Sequence, residues 1–178
     1  AYQYVGSQTA IALKGAGYVA METTLALRTV YNDTALQTAQ ALKGAEYLVG
    51  EVAKGLKDIF FFTEDVKASI PMASALKGAG YAVSQVAQGL KDAYSLSGDA
   101  AAVALKGAGY TVSQVAQGLK DAYSLSGDAA AVTLKGAGYA AKEVGDALHI
   151  TYDFTLDQTR KALNGAGYAA SAIINVFF

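Results

Sequence analysis

Chemistry in a protein needs groups that can act in pairs, and this chain offers few of them. Its 178 residues include no cysteine and a single histidine, His149. Without cysteine there is no thiolate nucleophile, no disulfide framework and no thiolate metal site. His149 stands where other segments carry Arg28, Lys57, Lys91 and Lys120, so register places it on an outer polar row. A lone imidazole there is neither a general base nor a metal ligand. No nucleophile–base pair and no metal-ligand spacing is present, so no catalytic, cofactor-binding or metal-binding residue is assigned, and the chain does not read as an enzyme.

Three further strings resemble functional motifs and have plainer readings. The recurrent GAGY lacks the GxGxxG and GxxxxGK[ST] spacings of phosphate loops, and its glycines are better helix terminators. SQVAQGL is the kind of string found in the second helix of a helix-turn-helix DNA reader, but phosphate-binding arginines are missing around it. With 14 basic and 15 acidic residues the net charge is −1, and nothing suits the chain to a nucleic acid. Asn32-Asp33-Thr34 fits the glycan acceptor pattern, which matters only for an exported protein.

The elements that position these residues repeat. LKGAGY begins at Leu13, Leu76, Leu105 and Leu134, with LKGAEY at Leu42 and LNGAGY at Leu163, in steps of 29, 34, 29, 29 and 29 residues. Residues 76–103 return at 105–132 with only Ala82 exchanged, for Thr111. Such a period marks a solenoid. The sequence therefore predicts an all-α fold, an α-solenoid of six helix-hairpin repeats with a 29-residue period and one 34-residue unit. It forms a single repeat array over residues 1–178, with units of approximately 1–31, 32–65, 66–94, 95–123, 124–152 and 153–178. The five extra residues fall near residues 61–71. Pro71, the one proline, lies in that insertion and is expected to break a helix.

Within a unit, Ser97 or Asp99 caps a first helix, and Gly107 and Gly109 end it. The second helix carries Val115, Leu119 and Tyr123 on one face. Glu22, Glu51, Gln85, Gln114 and Glu143 stand four residues after the marker tyrosine, placed to reach back to bare N–H groups; the sixth unit departs with Ala172. Two aromatic rows, Tyr18, Tyr47, Tyr81, Tyr110, Tyr139, Tyr168 and Tyr31, Phe60, Tyr94, Tyr123, Tyr152, are read as core ladders rather than as a groove for sugars or peptides. Between them runs Leu27, Leu56, Leu90, Leu119, Leu148. Lys14, Lys43, Lys77, Lys106 and Lys135, with the second basic row, are read as solvated helix faces. Phe61 or Phe62 is expected to cover a neighbouring helix.

The ends lack the polar caps that a finite solenoid carries. The sequence starts AYQYVG and stops SAIINVFF, and a following copy would place its Leu13 28 residues after Leu163, one short of the period. The functional expectation is a structural self-assembling protein that stacks head to tail into a filament. Its assembly interface would be Tyr2, Tyr4, Val5, Ile173, Ile174, Val176, Phe177 and Phe178. The alternative is a monomeric α-solenoid scaffold that binds a protein, peptide or glycan partner. Expected partners are other copies of itself, not nucleic acid. The 17 uncharged residues 162–178 match the repeat in register, so a helix hairpin is favoured over a membrane span. A start at Ala1 without Met resembles a processed chain, the basis for expecting an extracellular or cell-surface location.

Overall fold

The structure, a computed structural model, describes residues 2–61 and 65–174, with the backbone alone at residues 2–4. Among the described residues there are twelve helices and no strand. They form six hairpins: α1 (Tyr2–Gly15) with α2 (Ala20–Tyr31), α3 (Ala35–Gly44) with α4 (Val49–Phe60), α5 (Val66–Gly78) with α6 (Val83–Tyr94), α7 (Gly98–Gly107) with α8 (Val112–Tyr123), α9 (Gly127–Gly136) with α10 (Ala141–Tyr152), and α11 (Leu156–Gly165) with α12 (Ala170–Ile174). Odd-numbered helices pack on odd-numbered neighbours and even on even, which makes two layers of a helical solenoid. The all-α repeat reading of the sequence holds.

Local chemistry sets each boundary. Odd helices from α3 on begin at a side-chain cap. Thr34, Asp65, Ser97, Ser126 and Thr155 each accept a backbone N–H from the first turn. Even helices begin differently. The residue before α2, α4, α6 and α10 is Val19, Leu48, Ala82 or Ala140, none of which can accept a hydrogen bond. The third helical residue does the work: Glu22, Glu51, Gln85 and Glu143 accept the N–H of those residues at 2.8–3.2 Å. Thr111 and Gln114 at the start of α8 complete both halves of the box, as Thr34 with Gln37 and Thr155 with Gln158 do on odd helices.

The odd helices end in one repeated turn. Its signature is a bond from the marker tyrosine N–H to the marker leucine carbonyl, as in Tyr110 to Leu105 at 3.1 Å. That turn needs a left-handed residue. Glycine supplies it in five units, and Glu46 adopts φ 60 in the second, at a cost of about 1 kcal/mol.

Two leucine rows fill the space between layers. Leu42, Leu76, Leu105, Leu134 and Leu163 on odd helices and Leu27, Leu56, Leu90, Leu119 and Leu148 on even helices are wholly buried. Each contributes about 1.5–3 kcal/mol. The even helices approach closely where glycine faces them: a Cβ at Gly89 would lie 3.1 Å from the Ala53 Cβ, and one at Gly55 would lie 2.7 Å from the Thr24 hydroxyl.

Two expectations are corrected. Pro71 breaks no helix and lies inside α5. It occupies the register position of Ala100 in the first turn of α7, and three extra residues, Val66–Ala68, precede the usual start. Its ring is exposed, and as the sixth residue of α5 it offers no N–H to the Lys67 carbonyl. Phe61 packs half-buried against the core and Phe62 lies outside the described residues. The second correction concerns the lysines and follows below.

Candidate interfaces between hairpins and at the ends of the array

The lysine row on the odd helices is not a solvated face. Each ammonium reaches over the end of the next odd helix and donates to the carbonyls of its closing turn. Lys77 Nζ donates to Ala108 O at 3.2 Å and Gly109 O at 2.7 Å. Lys106 donates to Ala137 O at 2.9 Å and Gly138 O at 2.8 Å. Lys135 donates to Ala166 O at 3.0 Å and Gly167 O at 2.6 Å. Lys43 reaches Ala79 and Gly80 in the same way, and Lys14 reaches Glu46. The same five ammoniums sit over the marker tyrosine rings of the next hairpin, 4.3–5.4 Å from their centroids.

Each cradle combines three attractions for a cation: carbonyl oxygens with no intrahelical partner, the negative end of a helix dipole, and an aromatic face. The lysine stem lies along apolar surface while its head finds polar partners.

A second row does the same between even helices. Lys57, Lys91 and Lys120 donate to Ala93 O, Ala122 O and Thr151 O at 2.7–3.0 Å. They stand over Tyr94, Tyr123 and Tyr152, and Arg28 stands over Phe60. His149, the next member of this row, is exposed as register requires. Its Nδ1 pairs with the Phe154 carbonyl of its own chain turn at 2.9 Å.

Register anticipated tyrosine burial only in the interior. Tyr47, Tyr81, Tyr110 and Tyr139 are buried, Tyr168 is half-buried and Tyr18 is 49% exposed. Burial pushes Tyr81 and Tyr110 up to about 12, and burial with the nearby Glu143 carboxylate does the same to Tyr139.

The expected assembly residues fare unevenly. Val5 is exposed on α1, and Ile174 is 57% exposed at the end of α12. Ile173 is mostly buried. It occupies the inward position held by Val52, Val86, Val115 and Val144, all core residues. The side chains of Tyr2 and Tyr4, and Val176, Phe177 and Phe178 altogether, lie outside the described residues. Beside Ile174 is a recess of about 300 Å³ lined by Arg160, Lys161, Asn164, Ala170 and Ile173.

Sequence reading did not single out the apolar surface of the first hairpin. Ile11, Tyr18, Met21, Leu25 and Val30 are all exposed there. The signal was available. Position 25 is polar in later units, as Lys54, Gln88, Gln117 and Asp146, and position 21 becomes Gly50, Ser84, Ser113 and Lys142.

Compared with known protein families, curated proteins and solved structures, the chain matches none. Among the described residues no helix is long and apolar enough to cross a membrane.

Proposed function

We propose that the protein is a structural repeat protein whose copies associate through the apolar surfaces at the two ends of the array. The observation that carries this reading is the apolar surface of the first hairpin at Tyr18 and Val30, exposed there while the equivalent Tyr81, Tyr110 and Tyr139, and Ala93, Ala122 and Thr151, are buried in hairpins that have a preceding neighbour. An exposed apolar patch of this kind marks an association surface. Ile174 supplies apolar surface at the opposite end, and a head-to-tail contact that does not close extends into a filament.

Light scattering coupled to size exclusion, over a hundredfold concentration range, tests the proposal. Mass is expected to grow with concentration, and Val30→Glu, a charge on the uncovered end of the first hairpin, is expected to suppress the growth. A monomer at every concentration would refute it.

The contact between copies is not a repetition of the interior one, and this favours a second reading. Asn164 stands where the other units carry the cradle lysine. Ile174 stands at the close-approach position held by Thr24, Ala53 and Ala87, which face glycines in the next unit, and Ala26 takes the glycine position on the first hairpin. A monomeric scaffold that uses its first hairpin to bind a different protein accommodates both departures. It predicts the constant monomer that would sink the first reading.

A further inference from the structure

The cradle that takes a lysine in hairpins 2 to 6 is also built in hairpin 1. The closing turn of α1 has the same bonds: Gly17 N–H to Lys14 O at 2.9 Å and Tyr18 N–H to Leu13 O at 3.0 Å, against 2.9 and 3.1 Å in the turn around Gly109. Gly17 takes the same left-handed conformation as Gly80, Gly109, Gly138 and Gly167. The carbonyls of Ala16 and Gly17 are therefore directed as those of Ala108 and Gly109 are, beside the exposed Tyr18. Among the described residues no cation reaches them. The even-helix row repeats the situation. Val30 and Tyr31 stand where Ala122 and Tyr123 receive Lys91, and among the described residues no cation of the chain reaches Val30 O either.

We infer that the Ala16–Gly17–Tyr18 turn is a binding site for a primary ammonium, the lysine side chain of a partner protein. The chemistry of the occupant comes from the molecule itself. Five turns of this kind, four with the same Ala-Gly-Tyr and one with Ala-Glu-Tyr, each hold a lysine Nζ. An ammonium offers three donors to two carbonyls and a point charge to the ring. The ring of Tyr18 is open to solvent, so the partner lysine needs no rearrangement of the chain to arrive. In-register stacking of a second copy would bring Asn164 to this place, a side chain with no charge and too short to span the gap. The occupant is thus a lysine of another protein, and the inference rests on the scaffold reading, since head-to-tail stacking would cover the same end of the array.

The test uses the intact 15N-labelled protein, titrated at constant ionic strength with Nα-acetyl-lysine amide and, separately, with the uncharged isostere Nα-acetyl-norleucine amide. The amides of Gly17 and Tyr18 are expected to shift with the lysine compound and not with norleucine. Gly80, Gly109 and Gly138, whose turns hold internal lysines, serve as controls and are expected to stay still. Tyr18→Ala is expected to weaken the response about two- to five-fold and Tyr18→Phe to preserve it, the size of an exposed cation–π contact. Equal shifts from the two compounds, or shifts at Gly17 no larger than at Gly109, would overturn the inference.

Discussion

Replacing Lys106 by methionine isolates the ammonium, because methionine keeps an unbranched apolar stem of similar reach. The charged head makes two hydrogen bonds, to Ala137 O at 2.9 Å and Gly138 O at 2.8 Å, and stands 4.3 Å from the Tyr139 ring centroid. The first bond is part-buried and contributes about 1.5 kcal/mol, the low end for a charged donor. The second is exposed and contributes about 0.5 kcal/mol once solvent screening is allowed for. The ring adds about 0.5–1 kcal/mol. Lys106→Met is therefore expected to cost about 2.5–3 kcal/mol, or about 5–12 °C in Tm for a chain of this size. Urea denaturation followed by circular dichroism measures it. The control is Lys142→Met. Lys142 pairs with Asp146 at 3.6 Å, and both side chains are more than half exposed, so its loss is expected to cost less than about 0.5 kcal/mol. If the two substitutions destabilise equally, the lysine row is an ordinary solvated face after all.

Glycine substitutions should divide by what a Cβ would meet. At Gly55 it would lie 2.7 Å from Thr24 Oγ1 and 3.4 Å from Met21 Cα, so Gly55→Ala is expected to destabilise. At Gly136 nothing lies within 4 Å, and Gly136→Ala is expected to gain about 0.5–1 kcal/mol from backbone entropy and helix propensity; thermal melts of both variants check the signs. Alkaline stability follows from Tyr81, Tyr110 and Tyr139, whose hydroxyls are pushed up to about 12 in the folded chain. Between about pH 10, where the unfolded tyrosines ionise, and pH 12, the folded state holds more protons. Folding should therefore weaken as pH rises, by about 1.4 kcal/mol per pH unit for each of the three. Denaturation midpoints that stay flat from pH 9 to pH 11.5 would contradict this.

The sequence alone was enough for the fold class because each requirement is local and recurs. Leu27, Leu56, Leu90, Leu119 and Leu148 come back at the repeat spacing and are all fully buried. The caps at Ser97 and Ser126, and the reach of Glu143 to Ala140, involve residues three apart, so no tertiary knowledge is needed to foresee them. Pro71 misled because its effect depends on position within a helix. The start of α5 at Val66 comes three residues earlier than the repeat pattern indicates, so the helix runs through the proline.

The tertiary structure decided what the polar positions do. Lys77 and Lys106 look like surface residues in sequence because their partners, Ala108 and Ala137, are 31 residues away and contribute a carbonyl, which carries no signature in residue type. A sequence reader could have noticed that this lysine persists from Lys14 to Lys135 while the outer position 21 drifts through Met, Gly, Ser and Lys, since a freely solvated charge has no reason to keep one place. That Tyr18 stays open while Tyr47 is covered follows from neighbours in space. A side chain is desolvated by whatever packs across it, and that packing exists only once the hairpins have stacked.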